Sequence, residues 1–368
     1  MNRVLKYLLF GIGIIVVIFG IWYLRSIVAY ILIAAVLSLI GRPLIIFLGK
    51  IRIKNFTLPQ ALSAIITVFV LWLVIYTFFR VFIPLIIGQA AEFSKIDLQP
   101  LFEKLQDPFR KIEEAYKELN VKNAEALSLQ EYFTNKLVSV LNFSVISDFL
   151  SSTAGLIGNL FIAAFAITFI TFFFLKDKSL LINGIMMFVP TEYEDQTHHA
   201  LTSVKRLLTR YFIGIVCQVT GIIILVTIGL SIVGLKFERA LLIGLVVGIF
   251  NVIPYIGPLI GEVLGLLLGV APNLSLNFYS DLLPLMGYMM LVFIIVQVVD
   301  NVLFQPLIFG KSVKAHPLEV FLVILITATL FGPFAMIIAI PTYTVIRVFG
   351  KEFFHQYKLV KKLTEHID

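Results

Sequence analysis

The chain has 368 residues, 60% of them hydrophobic and 14% charged, against about 25% charged in an average soluble domain, and its mean hydropathy is +1.00. That composition excludes an ordinary soluble globular protein. The net charge of +7 does not point to nucleic acid either, because eight bases precede the first acid, Glu92, in and around apolar segments, where basic charge reports topology.

Runs free of charge reach the ~20 residues that cross a bilayer again and again. They are Tyr7–Leu24, Ser26–Gly41, Asn55–Phe79, Phe149–Leu175, Tyr211–Leu235, Ala240–Gly261, Val263–Ser280, Leu282–Val299 and Val320–Ile346. This predicts an all-α polytopic integral membrane protein with about eight hydrophobic segments. Arg3 and Lys6 before the first run resemble a charged signal region, but the run is long and no small-x-small cleavage pattern precedes Arg25, so it reads as an uncleaved first transmembrane helix. Four basic clusters (Arg3 and Lys6; Arg42, Lys50, Arg52 and Lys54; Lys205, Arg206 and Arg210; Lys351, Lys358, Lys361 and Lys362) fall on the cytoplasmic side by the positive-inside rule, with both termini inside.

In chain order, residues 1–90 hold three transmembrane helices, the third carrying Pro84 near its end. Residues 91–148 form a helical extracytoplasmic subdomain, in which Phe102, Leu105, Phe109, Ile112, Tyr116 and Leu119 step by three and four. That stripe suits packing within the subdomain or pairing of subunits in a homo-oligomer. A fourth helix occupies 149–175, a cytoplasmic connection 176–210, a transport core 211–350, and a basic cytoplasmic tail 351–368. Cys217, the one cysteine, offers neither a disulfide within the chain nor a Cys-based metal site and reads as a small buried residue. His198 and His199, beside Glu192, Glu194 and Asp195, do not share a helix face, so no metal site is expected there, and no cofactor elsewhere.

Two interruptions set the core apart. Asn251-Val252-Ile253-Pro254-Tyr255-Ile256-Gly257-Pro258 breaks one apolar stretch, and Phe331-Gly332-Pro333 splits the last into halves of about fourteen residues. Backbone freed at membrane depth must be buried in protein or line a wet cavity, which makes such breaks functional pointers in carriers. Arm length favours a re-entrant hairpin for the second break and leaves the first open between a hairpin and two full crossings.

Between them, Gln297, Asp300, Asn301 and Gln305 put four polar side chains on an otherwise apolar helix. A charge in lipid costs about 2.5–3.5 kcal/mol even on mild scales, so Asp300 should face the interior or a cavity and is the first candidate to bind a coupling ion, Na⁺ or H⁺. The bland alternative is an aspartate near the cytoplasmic end that hydrogen-bonds helix termini. Glu262, alone among charges between Arg239 and Asp281, is the second coupling candidate. Asn251 and Tyr255 could hydrogen-bond a polar solute. Gly310-Lys311-Ser312 resembles the end of a nucleotide-binding loop, but Gln305 stands where that loop needs glycine.

The stretches Tyr211-Phe212-Ile213-Gly214, Gly244 and Gly248 through Gly261 resemble the signature of the autoinducer-2 exporter family of bacterial permeases. Asp300-Asn301, Gln305-Pro306, Gly310-Lys311-Ser312, His316-Pro317, Phe331-Gly332-Pro333 and Ala339-Ile340-Pro341 are similar to its C-terminal half. The resemblance implies a carrier of small molecules in the bacterial inner membrane, some members being associated with export of the furanosyl signal and others with Na⁺/H⁺ exchange. The combined reading is a secondary transporter, not an enzyme, that exports a small polar solute by alternating access. Its site would comprise Asn251, Pro254, Tyr255, Gly257, Pro258, Gln297, Asp300, Asn301, Gln305, Gly332 and Pro333. The rivals are a Na⁺(Li⁺)/H⁺ antiporter using Asp300 and a membrane scaffold or receptor acting through 92–148.

Overall fold

The computed structural model describes residues 19–93 and 157–354, apart from positions 21, 51, 54, 55, 274–276 and 313–315. Most of the first apolar run, the heptad stripe of the extracytoplasmic subdomain and the end of the basic tail lie outside the described residues. Among the described residues, five helices are long and apolar enough to cross a membrane, or up to seven spans if each of two bent helix pairs counts as one. The all-α membrane architecture stands, with one two-residue hairpin pairing of Arg52–Ile53 and Phe56–Thr57 in the basic loop.

Helix α1 (Arg25–Lys50) is followed by α2 (Gln60–Phe93), which continues past Pro84. Helix α3 (Ile157–Lys176) ends where Lys176, Asp177 and Lys178 bring charge to the chain, and the short α4 (Leu180–Met186) leaves at 94°. Asp177 accepts from the backbone N–H and the hydroxyl of Ser179, which hold its carboxyl below the usual range. Helix α5 (Glu194–Ile232) is 39 residues long and begins 17 residues before the apolar run at 211, so much of the expected connection is helix. Glu194 and Asp195 in its first turn complement the helix dipole. Cys217 is exposed on α5, not buried: an apolar neighbourhood in a membrane helix does not distinguish the lipid face from the core.

After α5 come α6 (Phe237–Phe250), α7 (Ile256–Val270) and α8 (Leu283–Val299). The chain then passes through a π-helical turn, Asp300–Phe304, into α9 (Gln305–Ser312), and ends with α10 (Pro317–Phe331) and α11 (Met336–Phe354). Both expected breaks are present: α6 and α7 are separated by the turn at 251–255, and α10 meets α11 at 119° across Gly332 and Pro333. The bend at 177–179 is an additional one that sequence reading placed in a plain connection.

The described chain divides into two units. The first takes α1, α2 up to Ile75, α3, α4, α5 up to Ile213 and α11 from Val345; the second takes α2 from Tyr76, α5 from Gly214, α6 to α10 and α11 up to Thr344. In the first unit α1 packs on α3, with Ile45, Ala64, Val68 and Leu175 at its core. Gly41 permits the approach of α1 to α2, since a Cβ there would lie 2.8 Å from the Thr67 methyl, and it would also touch Leu175 of α3 at 3.4 Å. The outward faces are apolar, Phe161 being 74% exposed, as a lipid-facing surface requires. In the second unit Ile222, Val226 and Leu230 of α5 meet Ile243 and Val247 of α6 and Met289, Phe293 and Val296 of α8. Lipid tails are as apolar as these side chains, so close packing rather than water exclusion holds the helices together.

Candidate functional site

The turn between α6 and α7 follows from its residues. Pro254 has no N–H to continue α6, while Pro258 sits in the first turn of α7, where a missing N–H costs nothing. The chain reverses through Tyr255, which holds φ +66°, an uncommon and strained conformation for a non-glycine residue. The two arms then pack side by side. This geometry requires glycine at 257, because a Cβ there would overlap the carbonyl oxygen of Phe250, while a Cβ on Gly261 would lie 3.0 Å from the Val247 Cα, a tight contact. At 14 residues α6 is about 21 Å long, short of the ~30 Å hydrocarbon core, whereas α7 runs on through Asn273 to 18 residues and counts among the candidate spans. The reversal leaves Asn251 at the end of α6, 5% exposed, with its side chain turned to Asp300 just after α8.

The second part of the site is the π turn. Pro306 removes the N–H that would close an α turn onto residue 302, and its ring would press on that carbonyl; the wider π turn relieves both. Winding about 4.4 residues per turn here brings residues five apart onto one side. Gln305 therefore donates from Nε2 both to Asp300 Oδ2 at 2.9 Å and to Asn301 Oδ1 at 2.9 Å.

Asp300 is 1% exposed. Gln218 of α5 donates from Nε2 to its Oδ1 at 2.7 Å, and Asn251 donates from Nδ2 to its Oδ2 at 3.4 Å. With Gln305, three carboxamides from three segments surround one carboxylate. Each charge-assisted bond is worth more than a neutral one, yet the negative charge is met by dipoles alone: no Lys, Arg or His bonds it among the described residues. Helix α5 reaches so near because Gly214 and Gly221 flank Gln218 on one face, where added Cβ atoms would lie 2.7 Å from Ile308 and 2.5 Å from the Phe304 ring. Gln297 donates to Asn301 Oδ1 at 3.1 Å, extending the network along α8 to a partly exposed edge.

The structure thus joins Asn251, Gln297, Asp300, Asn301 and Gln305 in one hydrogen-bonded group. The four polar residues between 297 and 305 do not share one face: Asp300 points inward and Asn301 is exposed, with Gln305 bridging them. Pro254, Gly257 and Pro258 shape the turn that presents Asn251. Tyr255 packs edge-on against Phe321 of α10, ring centroids 6.0 Å apart, rather than joining the group. Glu262, half-buried on α7, has no hydrogen-bond partner among the described residues. Gly332, at φ +85°, and Pro333 form the corner between α10 and α11, whose arms are tied by the Tyr343 hydroxyl donating to Glu319 at 2.9 Å. Gln218 was missed by sequence reading. The available signal was that it is the sole carboxamide in the 211–235 run, flanked by Gly214 and Gly221 at helical spacing. Among the described residues no three His, Cys, Asp or Glu side chains gather at a point that could hold a metal ion.

Comparison with known proteins adds a family to this geometry. Residues 12–355 match the family described as AI-2E family transporter. YueF of Bacillus subtilis, a protein named for transport, is 26% identical over 340 residues, covering 90% of this chain and 84% of YueF. YrrI of the same organism, also named for transport, is 30% identical over 190 residues, 51% of this chain and 50% of YrrI.

Proposed function

Because the chain belongs to the AI-2E family of transporters, we propose that it exports a small polar solute, a furanose-like signal or related metabolite, coupled to an ion by alternating access around Asp300. The observation that carries this reading is the buried carboxylate of Asp300 held by Gln218, Asn251 and Gln305. A negative charge balanced only by dipoles is poised to take a proton or a small cation, and carboxamides can exchange their hydrogen bonds for those of a solute. The two breaks supply the moving parts. Helices interrupted at membrane depth, with a site beside the break, are the arrangement that carriers use to expose one site to two sides in turn. The basic clusters support a reading in which both termini face the cytoplasm, with the protein in the inner membrane.

A second reading keeps the site and drops the organic solute. The oxygens of Asp300, Asn251, Asn301 and Gln305 are hard donors that suit Na⁺ or Li⁺, which would make the protein a cation/proton antiporter. Purified protein in liposomes with a trapped pH dye separates the two, with Na⁺, Li⁺ or K⁺ added outside and wild type compared with Asp300→Asn and Glu262→Gln. A cation-dependent pH change lost in Asp300→Asn identifies antiport. Counterflow of radiolabelled ribose or a related furanose without that signal identifies solute export. Folded protein that shows neither activity overturns both readings.

A further inference from the structure

Within the first unit, three cationic side chains converge where apolar stretches give way to charge. Arg42 of α1 follows Gly41, which is level with Leu175 at the close of α3. Lys205 of α5 donates to the backbone carbonyl of Lys178 in the turn after α3, and the charges of Arg42, Lys178 and Asp177 all act on its ammonium. Arg42 and Lys205 are half-buried, whereas Asp177 is exposed and its Oδ1 is taken by the N–H and hydroxyl of Ser179. Three cations thus face one carboxylate. The Arg42 guanidinium, with five donors, has no hydrogen-bond or ion-pair partner among the described residues.

Half-buried like charges repel more strongly than exposed ones, because solvent screens them less. Holding Arg42 beside Lys205 with Asp177 as the counter-charge they share leaves an excess of positive charge, which is unfavourable. The missing group must be anionic, must offer several acceptor oxygens, and must reside at the boundary between hydrocarbon and water. We propose that Arg42, Lys178 and Lys205 bind the phosphate of an anionic lipid headgroup. Arginine suits the role, since its planar fork pairs with two phosphate oxygens at once, while the two lysines supply point charges. The bound lipid would neutralise the cluster and fasten α1, the end of α3 and the start of α5 to the membrane surface. A soluble phosphate shares the chemistry but lacks the tails that would hold it at this depth.

The test is thermal unfolding of the purified full chain in mixed micelles, titrated with phosphatidylglycerol, with phosphatidylcholine, or with inorganic phosphate. Phosphatidylglycerol should raise the Tm of the wild type, and the other two should not. In the Arg42→Gln/Lys205→Gln double variant the apparent affinity for phosphatidylglycerol should fall about fivefold for each charge removed. In phosphatidylcholine alone the double variant should be at least as stable as wild type, because the repulsion is gone. Lys50→Gln, eight residues further along α1, should behave as wild type. An unchanged response to phosphatidylglycerol in the double variant overturns the proposal, and so does an equal loss in Lys50→Gln. Equal stabilisation by inorganic phosphate overturns the lipid assignment, and equal destabilisation of the double variant in both lipids makes the cations structural instead. If the double variant does not fold, Arg42→Gln alone, which removes no bond made within the described residues, decides by the same criteria.

Discussion

The two units are built from equally apolar helices but put their polar side chains to different use. In the first, hydroxyls return to their own helix: Ser38 donates to Ala35, Thr67 to Ser63 and Thr168 to Ala164, all backbone carbonyls. A side-chain link between its helices is Trp72 Nε1 donating to Thr168 at 2.8 Å, beside a groove of about 390 Å³ lined by Val68, Phe69, Phe165, Phe169 and Phe172. In the second, carboxamides reach across to a buried carboxylate from three segments. The first pattern only satisfies donors in a medium without water. The second holds a charge in place, and in a membrane such an arrangement is retained for what the charge does.

Substitutions in each unit test this contrast. The largest effect on folding should come from Gly257→Val in the second unit, where even a Cβ overlaps the Phe250 carbonyl. We expect a loss of about 3 kcal/mol or more, seen as a collapse of folded yield and Tm. Gln218→Leu should follow, at about 1–3 kcal/mol, since it leaves one oxygen of a buried carboxylate without its 2.7 Å donor. Transport should fall with it, because the same bond positions Asp300. Trp72→Phe in the first unit should cost about 1 kcal/mol, the worth of one neutral hydrogen bond, and leave transport per folded molecule unchanged. The comparison fails if Trp72→Phe impairs flux as much as Gln218→Leu does. The smallest effect should come from Glu262→Gln, because this residue makes no bond to the network; loss of coupling in that variant, measured with the trapped dye, would move the site toward α7.

Much of this was legible in the sequence. Charge-free runs marked the spans, and Pro254, Pro258, Gly332 and Pro333 marked both breaks, because proline and glycine act on the backbone regardless of tertiary context. Asp300 stood out because a lone acid in an apolar helix needs a partner. Its partners were less visible: Gln218 lies 82 residues away, and only the approach of α5 through Gly214 and Gly221 joins them. The bond from Gln305 to Asp300 depended on the π turn at Pro306, because regular α-helical winding would hold residues five apart about 140° from each other. The bend at 177–179 was hidden because a charged linker and a sharp re-orientation look alike in composition.

The most direct measurement compares two activities of Asp300→Asn in one preparation of liposomes: accumulation of radiolabelled ribose or a related furanose driven by an imposed ion gradient, and counterflow of the same compound without one. If Asp300 is the coupling group, the folded variant should lose driven accumulation and retain exchange. Accumulation equal to wild type in folded Asp300→Asn would contradict that role outright.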